Sequence, residues 1–371
     1  MRRILVTGGA GFIGSHLADL LLEKGYSVRV LDSLSPQVHG DDEVRPAYLA
    51  PEVELVRGDV RDPLATRRAL EGVDAVVHLA AAVGVGQSMY KIADYVGIND
   101  LGTAVLLEAL TSHPVERLLV ASSMSVYGEG LGRAPHGRLV EPAERDALAL
   151  KAHRWEPQDA DGAPLEPGPT PETKRPSLSS VYALNKFAQE RLCLLFGRAY
   201  GVPTTALRFF NVYGTRQALS NPYTGVLAIF ASRLLNGRPP MIFEDGRQRR
   251  DFVHVRDVAR ACLLALERPE AAGEVLNIGS GVPRTVEEVG RAIARAVGRP
   301  ELQPQVTGKY RVGDIRHCFA DIDRARRLLG FEPREDFDAG LAELSEWLAG
   351  EVAVDRVDQA TDELARRGLV A

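Results

Sequence analysis

Along the first 210 residues, short apolar runs alternate with stretches in which apolar positions recur every three or four residues. The runs at 4–7, 27–32, 53–58, 75–80, 117–122 and 204–209 are rich in Val and Leu and nearly continuous in apolar character, as strands buried on both faces of a parallel sheet are. Between the first two, Leu17, Leu20 and Leu21 share one helical face over residues 12–24, and Gly25 supplies a stop. The alternation predicts βαβ units and an α/β fold with a doubly wound, Rossmann-type parallel sheet.

From residue 129 to 176 the texture changes to Pro, Gly and charged residues with little periodicity, which reads as a long surface insertion. After Asn211 the alternation weakens, and residues 285–297, 323–329 and 339–348 carry helical spacing. The expected organisation is a first unit over 1–210, interrupted by 129–176 and rejoined by 250–276. A smaller α/β unit follows over 211–350, then a charged, amphipathic tail over 351–371.

Composition narrows the function classes. The chain has 371 residues, 45% hydrophobic and 26% charged, enough to bury a substantial core. Its net charge of -5, from 45 basic against 50 acidic side chains, offers no excess for a nucleic-acid backbone or an anionic membrane. Cys193, Cys262 and Cys318 are scattered singly, so neither a disulfide framework nor a metal site is expected. The N-terminal apolar run meets glycines before reaching signal length, and no stretch reaches membrane-spanning length, which points to the cytoplasm.

Gly8, Gly11 and Gly14 lie between the first strand and the first helix, and Gly9, Gly11 and Gly14 also fit GxGxxG spacing. Small residues there let backbone amides at a helix N-terminus approach a pyrophosphate. Asp32 ends the second strand about 20 residues further on, where a carboxylate can accept hydrogen bonds from ribose hydroxyls. Such an acid repels a 2′-phosphate, and Ser33-Leu-Ser-Pro36 brings no Arg to bind one, so NAD is expected rather than NADP.

Tyr182-Ala-Leu-Asn-Lys186 places a phenol and an ammonium on one helical face. A phenol is a poor base at neutral pH, but adjacent positive charge from Lys186 and from a nicotinamide ring favours the phenolate. Ser123 follows the fifth strand, at the edge where open sheets present ligand-binding groups, and completes a Ser/Tyr/Lys set.

Together, Thr7-Gly-Gly-Ala-Gly-Phe-Ile-Gly14, Asp59-Val60, His78-Leu-Ala-Ala81, Ser122-Ser-Met-Ser-Val-Tyr-Gly128 and Tyr182-x-x-x-Lys186 resemble the extended short-chain dehydrogenase/reductase family. The likeness continues through Arg208-Phe-Phe-Asn-Val-Tyr-Gly214, Arg249-Arg-Asp-Phe-Val-His-Val255, Asn277-Ile-Gly279 and Arg311-Val-Gly-Asp314, covering residues 1–350. It is closest to the family's NAD-dependent nucleotide-sugar epimerases and dehydratases. The resemblance implies that Gly8, Gly11, Phe12, Ile13, Asp32, Asp59, Val60, Leu79, Ala80, Ala81, Asn99, Tyr182, Lys186 and Phe210 contact or support NAD. It further implies that Ser123, Tyr182, Asn211, Arg250 and Arg311 hold a nucleotide-diphosphate sugar, paired guanidinium groups suiting the diphosphate. Homodimers formed through residues 94–110 and 180–200 are expected on the same ground.

The family's 4,6-dehydratases carry an Asp-Glu pair after the triad hydroxyl and its decarboxylases a Glu before Val-Tyr-Gly, whereas this chain has Met124 and Ser125. A 4-epimerase needs no such acid, because its keto intermediate only turns over and takes the hydride back. Leu31-Asp-Ser-Leu-Ser-Pro-Gln-Val-His-Gly40, Ala82-Val-Gly-Val-Gly-Gln-Ser-Met89 and Gln217-Ala-Leu-Ser-Asn-Pro-Tyr-Thr-Gly225 resemble the branch containing dTDP-L-rhamnose 4-epimerases. Val83 stands where UDP-galactose epimerases carry a Lys, and the insertion is longer than theirs, so a dTDP- or UDP-linked deoxyhexose or hexose other than galactose is expected. The insertion's ends flank Ser123 and Tyr182, which leads us to expect it to shape access of the sugar. Epimerisation or decarboxylation of a UDP-hexuronate and reduction of a 4-keto sugar stay open as alternatives. A non-catalytic dinucleotide sensor is the alternative from another class, and the retained Ser123, Tyr182 and Lys186 argue against it.

Overall fold

Seven parallel strands form the central sheet: β1 (Arg3–Thr7), β2 (Ser27–Asp32), β3 (Glu54–Arg57), β4 (Ala75–His78), β5 (Arg117–Ser123), β6 (Thr204–Phe209) and β7 (Val275–Ile278). Their spatial order is β7-β6-β5-β4-β1-β2-β3. The computed structural model describes residues 2–40, 44–135, 137–143, 145–218, 221, 225–311, 314–350 and 357–370. Of the segments singled out above, residues 219–220 and 222–224 of 217–225, 312–313 of 311–314, 136 and 144 of the insertion, and 351–356 and 371 of the tail lie outside the described residues.

The longer helices are α1 (Phe12–Glu23), α2 (Pro63–Leu70), α3 (Gly102–Leu110), α4 (Val181–Tyr200), α5 (Val226–Leu235), α6 (Val255–Glu267), α7 (Val286–Ala296), α8 (Phe337–Leu348) and α9 (Val357–Arg366). Alternate residues of each central strand face opposite layers. Ile4 and Val6 meet Leu17 and Leu21 of α1 and Val258 and Cys262 of α6. Leu5 and Val76 meet Leu106 of α3 and Cys193 and Leu194 of α4. The sheet is therefore doubly wound, and its strand order reverses between β1 and β4, where the crevice at the carboxyl ends opens.

Sequence pattern missed β7. Its run Val-Leu-Asn-Ile is broken by Asn277, which is buried, accepts from the Tyr127 hydroxyl at 2.6 Å and donates to the Thr170 and Asp321 carbonyls at 2.9 and 3.0 Å. A polar residue whose hydrogen bonds are all made inside the fold looks in the sequence like a break in a strand. β4 also stops at His78 rather than at residue 80, because Thr7 Oγ1 takes the Ala80 N–H at 3.2 Å and bends the chain away from the ladder.

A second, smaller unit carries a mixed sheet of Asn211–Tyr213, Arg249–His254, Pro283–Thr285 and His317–Cys318. Phe230 and Leu234 of α5, Val289 and Ile293 of α7, and Leu341 and Leu344 of α8 form its core. α7 begins with a reciprocal cap: Thr285 Oγ1 accepts the Glu288 N–H at 3.1 Å and Glu288 accepts the Thr285 N–H at 2.8 Å. Within 129–176, Gly132–Arg133 pairs with both Leu139–Val140 and Glu166–Pro167. Leu150 and Trp155 bury themselves against Tyr310, so this stretch docks on the second unit. No helix among the described residues is long and apolar enough to cross a membrane.

Candidate active site

β1 ends at Thr7, and the chain turns through Gly8 and Gly11 into α1. Gly8 has φ +68°, and a Cβ there would stand 2.8 Å from Ala80 N and 3.1 Å from Leu79 C, so glycine is what lets the turn lie on the Leu79–Ala80 backbone. Gly11 differs. It is the N-cap of α1 at φ -77°, makes no side-chain cap, and a Cβ on it would meet only Gly8 O at 3.4 Å. The amides of the first turn, from Phe12 and Ile13 onward, have no carbonyl within the helix to pair with and sit at its positive end.

Asp32 pins this turn, accepting the Ala10 N–H at 3.0 Å and the Leu34 N–H at 2.9 Å. His39 Nε2 stands 3.8 Å from it, and burial pushes that imidazole below its ordinary pKa, so little positive charge gathers at the acid. Asp59 is held by Arg61 at 2.7 and 3.0 Å, a pairing that lowers its carboxyl pKa, while Val60 is buried under Gly102. Leu79, Ala80 and Ala81 lie half-buried along the turn. The fully buried Asn99 braces the next residue, accepting the Ala82 N–H at 2.7 Å and donating to its carbonyl at 3.1 Å. Open amides, a glycine where a methyl would fill the space, and an acid with no arginine on its own loop fit NAD.

Ser180 caps α4 by accepting the Ala183 N–H at 3.1 Å, which starts the helix so that Tyr182 falls in its first turn and Lys186 one turn later. The Tyr182 N–H donates to Ser88 Oγ at 3.1 Å. Ser123, at the end of β5, has its hydroxyl 3.2 Å from Ser125 Oγ and accepts the Ser125 N–H at 3.1 Å. Tyr182 is 8% and Lys186 3% exposed. Burial raises the Tyr182 phenol above its ordinary pKa, with the nearby Ser123 hydroxyl opposing. It lowers Lys186 to about 8, with Cys193 and Glu190 opposing. The depression of Tyr182 by Lys186 expected from their spacing is absent from this arrangement, because the ammonium donates to Gln189 Oε1 at 2.8 Å instead.

Phe210 is buried beside Met124, Val126 and Tyr127, its ring 6.3 Å from that of Tyr127. Asn211 follows it, and its buried Oδ1 has no hydrogen-bond partner among the described residues. The Arg311 guanidinium rests 4.5 Å over the Phe243 ring, and its buried Nε is likewise without a partner among the described residues. Arg250 donates to the carbonyls of Arg249 and Arg316 at 3.1 and 2.9 Å and to that of Ile315, and its guanidinium stands 3.8 Å from Asp314. It therefore braces residues 314–316 with part of its fork and keeps further donors.

The family model for the NAD dependent epimerase/dehydratase family matches residues 4–150 and 159–279. The chain belongs to that family. It is 37% identical over 355 residues to a dTDP-L-rhamnose 4-epimerase of Burkholderia thailandensis, covering 95% of this chain and 96% of the relative. Among solved structures it resembles a UDP-glucose 4-epimerase of Thermotoga maritima with UDP-glucose, with TM-score 0.75, 33% identity and coverage of 94% and 98% of the two chains. It also resembles the UDP-glucose 4-epimerase of Thermus thermophilus in complex with NAD, with TM-score 0.74, 34% identity and coverage of 94% and 100%.

Membership explains the motifs but not every buried polar group beside them. Gln189, with Oε1 on Lys186, donates through Nε2 to Thr103 Oγ1 at 2.9 Å. Thr103 Oγ1 is 2.9 Å from His78 Nε2, and His78 Nδ1 is 2.7 Å from Thr7 Oγ1, which also takes the Ala80 N–H. Burial lowers His78 to about 3, so the ring stays neutral and serves as a hydrogen-bonding link. A polar chain thus joins Lys186 to the wall of the glycine turn. Gln189 escaped sequence reasoning, although its position three residues after Lys186 puts both on one helical face.

The tail is also placed. Asp358 of α9 pairs with Arg233 and Arg238 at 2.7 Å each, and Leu364 lies where a Cβ on Gly86 would touch it at 3.2 Å. Val370 bridges to Arg311, and Arg367 stacks 4.4 Å over the Tyr90 ring. The tail therefore spans from the loop beside Ser88 to the segment carrying Arg311.

Proposed function

We propose that this protein is an NAD-dependent nucleotide-sugar 4-epimerase acting on a dTDP- or UDP-linked hexose or deoxyhexose. The observation that carries the choice is the pair of positions after Ser123. Met124 is buried in the apolar cluster with Phe210, and Ser125 places a neutral hydroxyl 3.2 Å from Ser123 Oγ. Neither side chain can act as the acid that water elimination requires, while oxidation and return at C4 need only the hydroxyl, phenol and ammonium of Ser123, Tyr182 and Lys186.

Held at the Gly8–Gly11 turn, the start of α1 and Asp32, NAD would supply the reversible hydride acceptor for sugar C4. Tyr182 takes the proton of the C4 hydroxyl and returns it to the same oxygen, Ser123 orients that oxygen, and Lys186, held on Gln189 one helical turn away, is assigned to the positive charge of the loaded site. Burial keeps Tyr182 protonated until more positive charge stands close, so proton removal waits for a loaded site. Asn211, Arg250 and Arg311 are assigned to the diphosphate. The partnerless donor Arg311 Nε supports this, since buried polar atoms are normally satisfied, whereas Asn211 would reach the anion through its amide nitrogen and leave its partnerless Oδ1 for a hydroxyl donor.

We further assign a homodimer formed by helices from each subunit. Ile92 and Leu101 near the start of α3, and Leu184, Leu195 and Tyr200 along α4, expose large apolar side chains on neighbouring elements.

The test is incubation of the purified protein with dTDP- and UDP-sugars without added NAD, with NMR identification of products. A 4-epimer is the expected result. A pentose, an unsaturated sugar or no turnover with NAD added would overturn the assignment. Tyr182→Phe should lower turnover by about 10²–10⁴-fold, the usual worth of a positioned general base, with the fold intact.

A further inference from the structure

Residues 129–176 are fastened to the second unit by an ionic net centred on the buried Arg316 and Glu244. The Arg316 side chain, 0% exposed, donates to Glu244 at 2.9 Å, to Asp245 at 2.6 and 3.0 Å and to Glu156 at 2.5 Å. Glu129 accepts the backbone N–H groups of Arg316 and His317 at 2.7 and 2.5 Å, and Glu156 meets His317 Nε2 at 2.8 Å. Arg145, its side chain 9% exposed, joins two separate segments: it donates to Glu244 at 2.7 Å and to the Asp314 carbonyl at 2.7 Å.

The insertion thus contributes Glu129, Arg145 and Glu156, and what they grip are Glu244, Asp314, Arg316 and His317. These residues adjoin the supports of the two arginines assigned to the diphosphate. Glu244 follows Phe243, on which Arg311 rests, and the carbonyls of Ile315 and Arg316 hold Arg250. Burying Arg316, Glu244 and Arg145 is poor stabilisation, since the desolvation cost offsets much of the attraction. What such a net does supply is fixed geometry, and a bidentate anion site needs its two guanidinium groups held apart from collapse onto nearby acids.

We propose that the insertion is a clasp that sets the nucleoside-diphosphate subsite, with Arg145 as the positioning residue that locks the Arg311 support to the Arg250 support. The inference rests on the nucleotide-sugar reading above and adds to it the element that fixes diphosphate affinity. Arg145 touches neither Ser123 nor Tyr182 in the structure, so the chemistry at C4 is outside its reach. Its loss acts on binding.

The experiment measures the affinity of UDP and dTDP by calorimetry for the full chain and for Arg145→Met and Arg145→Lys, together with KM, kcat and bound NAD. Arg145→Met should weaken the nucleoside diphosphate and raise KM by about tenfold or more, as loss of supporting partners does. Its kcat should stay within about threefold and NAD content should be unchanged, the signature of lost uniform binding. Arg145→Lys should recover part of the affinity. A folded Arg145→Met with parental affinity, or one that loses kcat while affinity and KM hold, overturns the proposal. If Arg145→Met does not fold, Glu156→Gln decides by the same readings: weakened diphosphate binding supports the clasp and parental binding overturns it. A parental protein that binds neither UDP nor dTDP overturns the nucleotide-sugar reading itself, which separates the two failures.

Discussion

Two glycines of the same turn should fail for different reasons when each is given a single methyl. Gly8 sits at φ +68°, and its added Cβ would stand 2.8 Å from a backbone nitrogen of Ala80 that cannot swing aside. A left-handed non-glycine residue costs about 1–2 kcal/mol and overpacking about 1–3 kcal/mol more, so Gly8→Ala should lose about 2–5 kcal/mol. At about 2.1 cal/mol/K of unfolding entropy per residue, a chain of 371 residues loses roughly one degree of Tm per 0.8 kcal/mol. The expected drop is about 3–6 °C by that conversion. Gly11 has an ordinary φ of -77°, and its Cβ would make one normal contact at 3.4 Å, so Gly11→Ala should melt with the parent. Its methyl would instead occupy the space in front of the α1 amides. An overpacking cost of about 1–3 kcal/mol there weakens NAD by about 5–150-fold. The assay is thermal melting of cofactor-free protein, because retained ligand adds its own stabilisation, followed by NAD titration of the same samples. Parental NAD affinity in Gly11→Ala would refute the placement of the pyrophosphate at these amides, and an unshifted Tm in Gly8→Ala would refute the steric argument.

Lys186 is a buried ammonium whose pKa is lowered to about 8. Its cost to the fold is fully present below about 8 and is relieved as pH rises towards the ordinary value of about 10.4. Lys186→Met should therefore be inactive yet melt above the parent at pH 7, with the gap closing as melts are repeated at higher pH; a gap that widens with pH contradicts the sign. Gln189→Leu removes the acceptor of that ammonium and should lower kcat by about 10–100-fold, the worth of a hydrogen bond to a charged group, in steady-state assays where unchanged kcat would deny Gln189 a role. Leu195→Glu, at a site 50% exposed on α4, should give a monomer by light scattering, and a parental protein that is itself monomeric would end the dimer assignment. Deleting the tail from residue 351 removes the Asp358, Leu364 and Val370 contacts; KM for the sugar nucleotide should rise with NAD retained, and an unchanged KM would leave the tail without a part in the site.

The half of the site around the cofactor was legible because its constraints are local in sequence or repeat with a fixed period. Gly8 to Gly14 are dictated by one turn, and Tyr182 and Lys186 by one helical period. Asp32 is set by the end of one strand. Gln189 lay within the same period and was overlooked because a glutamine carries no charge to attract attention. β7 hid behind Asn277, whose hydrogen bonds come from Tyr127, Thr170 and Asp321, residues that no local pattern connects to it.

The substrate half follows another logic. Arg316 meets Glu156 across 160 positions and Glu129 across 187, so nothing in either neighbourhood announces the pair. A proline- and charge-rich stretch without periodicity looks like solvated loop until its partners are known, and only then does a charge such as Arg145 become a buried one. The same difference bears on substrate choice. Glycine turns and a helical Tyr/Lys pair tolerate little variation, because a methyl or a shifted turn breaks them, and they define the reaction at C4. Long-range ionic contacts between an insertion, a tail and the segments holding Arg250 and Arg311 can be rewired without touching the sheet. On the clasp proposal, affinity for the nucleoside diphosphate therefore belongs to the part of this chain that its sequence pattern describes least.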